Sequence, residues 1–247
     1  MNNFIKKLIA IFFTAFCLLG SSCTSLKADV LRGEEKSSTA EVSKEIQFQE
    51  IALNKFESKT REASVKVYTE SGGHGSGAYF IYEGYHVVFT AAHVAVGSRT
   101  YLVVDKYGNK RLGMLAYIDE KVDFAIILIP AFEKIKPIKF KTPNYIPNEE
   151  IGKELIFSGY PGRQSLRTTR GIISGVEGRY FVMHSTAWSG SSGSCVFDSD
   201  GNFVGILFAI TMAQFSGDPV LLESMVWVEP YNAINWRAVK LTIKSLN

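Results

Sequence analysis

The chain has 247 residues, of which 46% are hydrophobic and 21% charged, and its formal net charge is +3 at pH 7. A chain of this length and hydrophobicity can bury the core of one enzyme-sized unit. Without Lys6 and Lys7, which lie in a segment expected to be removed, 25 basic residues face 24 acidic ones, a net charge of +1. This balance gives no support for a nucleic-acid partner, which would favour a concentrated basic face.

Residues 1–22 have the pattern of an export signal. Lys6 and Lys7 precede the apolar run LIAIFFTAFCLL at 8–19, and the small residues GSSCTS follow. A spanning helix needs about 20 apolar residues, so a retained membrane anchor fits this segment less well. We therefore predict an exported protein.

The end of the signal resembles a bacterial lipoprotein signal, in which a cysteine after small residues is lipidated once cleavage has occurred. The matching cysteine is Cys23, but Gly20 stands where that family normally has Leu. The resemblance implies membrane association through lipid on Cys23. Cleavage between Ser21 and Ala28 without lipidation remains open, and it would give a periplasmic or secreted protein.

Residues 23–60 are predicted to form a tether, because the charged stretch RGEEKSSTAEVSKE has no apolar period. Loose helical spacing of apolar residues over 46–56 is compatible with one short helix. Cys17 lies in the signal, so only Cys23 and Cys195 remain, and no disulfide framework is expected.

From residue 61 onward, short β-rich runs alternate with turn residues, a pattern typical of an antiparallel barrel or sandwich. The sequence DSDGNF at 198–203 predicts a hairpin with positive φ angles at Asp200 and Gly201 or at Gly201 and Asn202. Apolar residues at helical positions predict a C-terminal helix over about 231–245. No internal repeat is evident.

Three segments together indicate the chemistry: GSGAYFIYEGYHVVFTAAHV at 75–94, DFAIILI at 123–129 and GSSGSCVFDSDGNFVGIL at 190–207. They resemble the trypsin-like (chymotrypsin-fold) serine proteases, closest to the short bacterial V8-like and Deg-like branch. The resemblance covers about residues 62–230. It implies an all-β fold of two antiparallel six-stranded β-barrels, at about 61–143 and 144–230, with the C-terminal helix after them.

Carried over to this sequence, the resemblance implies a catalytic triad of His93, Asp123 and Ser192, with an oxyanion hole formed by the amides of Gly190 and Ser192. A serine hydroxyl becomes nucleophilic when an imidazole takes its proton, and a carboxylate holds that imidazole in one tautomer. The implied activity is a serine endopeptidase that cleaves a polypeptide through an acyl-enzyme. A catalytically inactive binding protein on the same scaffold is the alternative.

Other reactive residues are assigned simpler roles. Cys195 lies three positions after Ser192, where the family usually has proline, and is predicted to be a small packed thiol. His74 is expected in a solvent loop near the cleft and His86 in a strand or turn. The histidines have no Cys or carboxylate partners at ligand spacing, so no metal and no cofactor are predicted.

The resemblance also locates the pocket for the residue before the scissile bond. A Lys or Arg side chain would need a carboxylate there, and none occurs from Phe181 to Ser191. Glutamate-specific relatives have a histidine where Leu207 stands. We therefore expect a small or medium apolar residue, unless Asp218 or His184 reaches into the pocket. The predicted pocket residues are Thr186, Ala187, Leu207, Phe208 and Ala209.

Overall fold

The computed structural model describes residues 53–69, 72–162, 164–215 and 218–246, with the backbone alone at 209, 211–215 and 218–223. The signal, Cys23 and most of the tether lie outside the described residues. Three α-helices are present in these ranges, α1 (Lys55–Glu62), α2 (Ala92–Ala95) and α3 (Trp236–Lys244). The strands are β1 (Ser64–Tyr68), β2 (His74–Tyr82), β3 (Tyr85–Thr90), β4 (Thr100–Val104), β5 (Lys110–Asp119), β6 (Phe124–Leu128), β7 (Ile138–Lys139), β8 (Glu154–Gly159), β9 (Arg167–Glu177), β10 (Tyr180–His184), β11 (Cys195–Phe197), β12 (Phe203–Phe215) and β13 (Asp218–Pro230).

The first barrel consists of six antiparallel strands in the order β1-β4-β5-β6-β3-β2, and the pairing of β1 with β2 closes it. Strand β7 adds to the outside edge as a parallel neighbour of β2. Strands β3 and β6 are rich in β-branched and aromatic residues and are buried along most of their length. In the core, the ring of Phe89 on β3 stacks on that of Phe80 on β2 at a centroid distance of 4.3 Å.

The second barrel closes in the order β10-β13-β12-β11-β8-β9. Its own core is mostly aliphatic and includes Ile173, Met183 and Val228. The prediction of an all-β protein with two antiparallel six-stranded barrels is confirmed. The predicted C-terminal helix is also confirmed: a 3₁₀ turn at Tyr231–Ala233 precedes α3, which packs Val239 and Ile243 into the core of the first barrel.

The predicted hairpin at 198–203 joins β11 to β12, but its turn is built around a carboxylate. Asp198 Oδ1 accepts the amides of Asp200 and Asn202, and Asp198 Oδ2 accepts the Asn202 side chain. Gly201 adopts a φ of 74°, and it is the one residue of this turn with positive φ. The expected pair of positive φ angles is therefore wrong, because the Asp198 side chain supplies part of the turn.

The same turn occurs in the first barrel between β4 and β5. Asp105 Oδ1 accepts the amides of Tyr107 and Asn109, and Oδ2 accepts the Asn109 side chain. Gly108 has a φ of 83°. The sequences DKYGN and DSDGN thus form matching turns in the two barrels, a local correspondence that was not expected from the sequence.

Helix α1 packs on the second barrel through an ion pair whose carboxylate, Glu57, is buried. Asn54 caps the helix by accepting the amides of Phe56 and Glu57, and the Glu57 side chain returns a bond to the Asn54 amide. Glu57 also accepts from Arg170 Nη2 at 2.6 Å. The helix begins after Asn54 and shares residues 55–56 with the predicted one, of which residues 46–52 lie outside the described ranges. Among the helices of the described ranges, none has the length and hydropathy needed to span a membrane.

Candidate active site

His93 and Asp123 form a two-point contact in the first barrel. His93 lies on α2, directly after β3, and Asp123 immediately precedes β6. The His93 amide donates to Asp123 Oδ1 at 2.8 Å, and Nδ1 of its ring donates to Oδ2 at 2.7 Å. Because a carboxylate only accepts, Nδ1 carries the proton and Nε2 is left as an acceptor. Asp123 holds a φ of 45°, which is uncommon outside glycine.

The carboxylate sets the electrostatics of the imidazole. Burial lowers the pKa of His93, whereas the charge and hydrogen bond of Asp123 raise it, and the net pKa lies above its ordinary value of 6.5. The imidazole side chain remains 35% exposed. His93 is therefore held in one tautomer by Asp123, and its imidazole remains accessible to solvent.

Ser192 lies on the second barrel in a loop between β10 and β11, and four consecutive peptide groups of this loop are fixed by hydrogen bonds. The carbonyl of Ser189 accepts from Gly162 N at 2.5 Å, and that of Gly190 accepts from Ser76 Oγ at 2.7 Å. The Ser191 carbonyl accepts from Ser194 N at 3.0 Å, and the Ser192 carbonyl accepts from Ser76 N at 2.8 Å.

This pattern leaves the amides of Gly190 and Ser192 without acceptors among the described residues, although Gly190 is buried. In a trans peptide the N–H and C=O groups point in opposite directions. The bonds to the Ser189 and Ser191 carbonyls therefore turn both amides toward the other side of the loop. Gly190 has a φ of 94° and Gly193 a φ of 85°, so glycine is needed at both positions.

The Ser192 loop lies against the start of α2. A Cβ added at Gly193 would come within 2.3 Å of Thr90 Oγ1 and 3.0 Å of Ala91 N, just before His93. Within the described ranges, no hydrogen bond joins Ser192 Oγ to His93. The structure thus forms the His93–Asp123 contact and brings the Ser192 loop against Thr90 and Ala91, just before His93, while the Ser192–His93 contact is not formed within the described ranges.

A second charged pair lies beside Asp123. Glu229, on β13, is fully buried and receives a bidentate contact from Arg179, with N···O distances of 2.9–3.1 Å. Arg179 Nη2 also donates to the carbonyl of Lys121, two residues before Asp123. Burial raises the pKa of Glu229 to about 7 against the lowering effect of Arg179, and the charge of Asp123 contributes to the rise. The pair joins the second barrel to the turn that presents Asp123.

The cysteine and the other histidines discussed in the sequence analysis do not take part in these contacts. Cys195 is buried in β11 beside Phe89, and burial raises the pKa of its thiol, which confirms a packed thiol.

His86 lies in β3 as expected, with Nδ1 at 2.5 Å from the Tyr79 hydroxyl. His74 begins β2 and bonds the Tyr160 carbonyl at 3.2 Å, so it is half-buried and the expected solvent loop is wrong. Within the described ranges, no cluster of His, Cys, Asp or Glu is arranged to hold a metal.

The predicted pocket residues surround the Ser192 loop in different environments. Ala187 and Leu207 are buried together in the second core, whereas Thr186 is exposed. Phe208 is half-buried, and its ring packs against those of Tyr180 and Trp227, with centroid distances of 4.8 and 6.4 Å. The side chains of Ala209 and Asp218 lie outside the described ones, and His184 is exposed at the end of β10.

A family model described as a trypsin-like peptidase domain matches residues 75–206, which is more than half of the chain. This segment contains His93, Asp123 and Ser192. The fold and the match define a serine protease: the chain belongs to the trypsin-like peptidase family. No curated protein sequence matches it significantly.

Solved structures share the fold at low sequence identity. An inactive form of Rv3671c from M. tuberculosis has a TM-score of 0.59 and 18% identity, over 77% of this chain and 91% of that one. The serine endoprotease from Yersinia pestis has a TM-score of 0.60 and 23% identity, over 75% of this chain and 64% of that one. The HtrA-type protease AlgW with tripeptide gives 0.56 and 19%, over 72% and 59%.

Sequence reasoning missed the residues that support the site. No motif in the sequence assigns a role to Arg179, Glu229 or Ser76, and each acts through a partner more than 40 positions away. The one available signal is an acidic residue in an apolar strand, Glu229 in MVWVEP, because a buried carboxylate needs a partner.

Proposed function

We propose that this protein is an exported serine endopeptidase whose catalytic triad consists of His93, Asp123 and Ser192. The observation that supports this most strongly is the double hydrogen bond between His93 and Asp123, together with a nearby loop that has two amides without acceptors among the described residues. Such a combination serves acyl transfer, because it supplies a base, a nucleophile and donors for a developing negative charge.

In the proposed mechanism, Ser192 Oγ attacks the scissile carbonyl while His93 Nε2 takes its proton. Asp123 stabilises the resulting imidazolium through Nδ1, and the amides of Gly190 and Ser192 bind the oxyanion of the tetrahedral intermediate. His93 then protonates the leaving amine, which releases the first product and leaves an acyl group on Ser192. A water molecule, deprotonated by His93, hydrolyses this acyl-enzyme.

The proposed substrate is a polypeptide with a small or medium apolar residue before the scissile bond. The support is the sequence, because the two segments predicted to form the pocket walls contribute the apolar residues Ala187 and Leu207 and no carboxylate occurs from Phe181 to Ser191. A mixed peptide library tests this preference. Dominant cleavage after Arg, Lys or Glu would reject it and would require a charged partner from a more distant loop.

We further propose that the enzyme is exported and held at a membrane by lipid on Cys23. The support is the sequence GSSC after the apolar run at 8–19. Mass spectrometry of the mature N-terminus tests the proposal. An unmodified terminus beyond Cys23 would leave a periplasmic or secreted enzyme without an anchor.

A non-catalytic binding protein on this scaffold is the second candidate, and the open contact between Ser192 and His93 is the observation that favours it. Catalytic hydrogen bonds are often long in the absence of substrate, so the open contact is compatible with activity. A fluorophosphonate probe decides between the two functions, because it reacts with an activated serine. Labelling that disappears in Ser192→Ala supports the enzyme, and an unlabelled folded wild type supports the binding protein.

A further inference from the structure

We propose that Ser76 is a positioning residue for the oxyanion hole, acting from the first barrel on the loop of the second. This inference rests on the proposed function, because it concerns the amides of Gly190 and Ser192. Ser76 lies on β2 and is fully buried, with a relative exposure of 0%. It bonds the loop through both its hydroxyl and its amide.

The hydroxyl of Ser76 makes two bonds whose directions are fixed by chemistry. Its oxygen accepts from Tyr160 N at 2.8 Å and lies 2.7 Å from the Gly190 carbonyl. A carbonyl only accepts, so the hydroxyl proton must point to Gly190. The hydroxyl therefore links the end of β8 to the loop and holds the peptide group between Gly190 and Ser191.

The backbone of Ser76 provides the second attachment. Its amide donates to the Ser192 carbonyl at 2.8 Å, and its carbonyl accepts from Thr90 Oγ1 at 2.7 Å. The close approach of β2 depends on its neighbour Gly75, where an added Cβ would lie 3.0 Å from the Ser192 carbonyl and 2.6 Å from Val94. Ser76 thus fixes the peptide groups on both sides of the Ser192 amide.

This attachment matters because Gly190 has access to more backbone conformations than other residues. The peptide group that carries the Gly190 amide shares Gly190 with the peptide group that Ser76 holds, and its rotation would turn that amide away from the substrate and the Ser189 carbonyl toward it. A carbonyl there would repel the oxyanion that the amides stabilise. The Ser76 hydroxyl opposes this rotation, since releasing the Gly190 carbonyl would leave two buried polar groups without partners, at about 1–3 kcal/mol each.

The test compares Ser76→Ala with Ser158→Ala in the full chain. Ser158 is the matched control, because it is a buried serine on β8 whose hydroxyl bonds Thr168 and not the loop. The second-order rate of labelling by a fluorophosphonate probe is measured across pH, with the free energy of unfolding measured in parallel. We expect labelling of Ser76→Ala to slow by about 10- to 100-fold, below the loss for a deleted oxyanion donor. Ser158→Ala should stay within about twofold of the wild type.

The shape of the pH profile separates an oxyanion role from a general disturbance. Ser76 has no hydrogen bond to His93 or Asp123 within the described ranges. The labelling rate should therefore fall to half its maximum at the same acidic pH, the midpoint of the acid limb, in Ser76→Ala and in the wild type. A slowed rate with an unchanged midpoint supports the proposal. A rate equal to that of Ser158→Ala, or a displaced midpoint, overturns it.

If Ser76→Ala does not fold, Ser76→Cys takes its place, because a thiol is a weak donor of similar shape. Slower labelling of folded Ser76→Cys supports the proposal, and labelling at the wild-type rate overturns it. The proposed function fails separately: in that case the wild type itself is not labelled, or labelling persists in Ser192→Ala.

Discussion

The two halves of the proposed active site, one on each barrel, are held in place by different chemical groups. On the first barrel, the contact between His93 and Asp123 is made by a carboxylate that binds one ring nitrogen and one amide. On the second barrel, the loop around Ser192 is held through its own carbonyls, which accept from Gly162, Ser194 and Ser76. The first half thus depends on the identity of two side chains, and the second on the path of the backbone.

This difference predicts how substitutions act. Replacing a side chain on the first barrel should remove a chemical step and leave the fold intact. Replacing a glycine of the loop should displace the Ser192 hydroxyl and the loop amides without changing their chemical identity.

The largest effect is expected from removal of either member of the reacting pair. His93→Ala and Ser192→Ala should each lower peptidase turnover by roughly 10⁶-fold, because the serine and its base act in the same step and removing either one abolishes it. The double variant should be no slower than either single variant. Steady-state kinetics on a cleaved peptide measure this, and multiplicative losses in the double variant would contradict a shared role.

Asp123→Asn should lower turnover by about 10⁴-fold, because the amide no longer holds the required tautomer of His93. In the wild type, activity should fall as the pH drops through the raised pKa of His93, since the base must be neutral. Without the carboxylate the pKa falls, so the acid limb of the profile should move to lower pH. An acid limb that stays in place in Asp123→Asn would contradict the assignment of His93.

Gly193→Ala tests the Ser192 loop, which depends on the path of its backbone. The added Cβ would lie 2.3 Å from the Ser76 carbonyl and from Thr90 Oγ1, at a φ of 85°. We expect a loss of about 100-fold in turnover and about 2 kcal/mol in the free energy of unfolding. Gly175→Ala is the control, because no atom lies within 4 Å of its added Cβ. Equal behaviour of the two variants in kinetics and urea unfolding would show that the loop path is unimportant.

Arg179→Ala tests the link between the halves. It releases the turn before Asp123 and leaves Glu229 buried without its partner, so turnover should fall by about tenfold. The loss of stability should be about 2 kcal/mol, less than for a fully buried pair, because the Arg179 side chain is 43% exposed.

The pH dependence of stability identifies Glu229 in this link. Its pKa is raised in the folded state to about 7, so its contribution to stability is present below pH 4.5 and is lost as the pH rises through about 7. In Arg179→Ala this loss should extend to higher pH, and in Glu229→Gln it should disappear. Urea unfolding from pH 5 to 8 measures both. An unchanged profile in Glu229→Gln would show that another group titrates.

The smallest effect is expected at Cys195. The buried thiol has a raised pKa and packs beside Phe89, away from the solvent side of the cleft. Cys195→Ala should leave turnover within about twofold of the wild type and reduce stability by about 1 kcal/mol. A large loss of activity with a retained fold would assign the thiol a part in the reaction.

The sequence by itself determined the fold class, the serine protease family and the three residues proposed to react. Strand patterns and turn residues are local, and the motifs around His93, Asp123 and Ser192 are short runs that each stand on one element. The DxxGN turns at 105–109 and 198–202 are also local, and comparison of the two segments would have revealed their correspondence.

The tertiary structure alone decided which residues support the site. Ser76 acts on a carbonyl 114 positions away, and Arg179 contacts Glu229 across 50 positions, so no spacing in the sequence links them. The tertiary structure also decided how exposed His74 is and that Glu57 packs against Arg170. The physical reason is that burial and hydrogen-bond partners arise only when the barrels close and pack, whereas strand formation and reactive motifs depend on neighbouring residues.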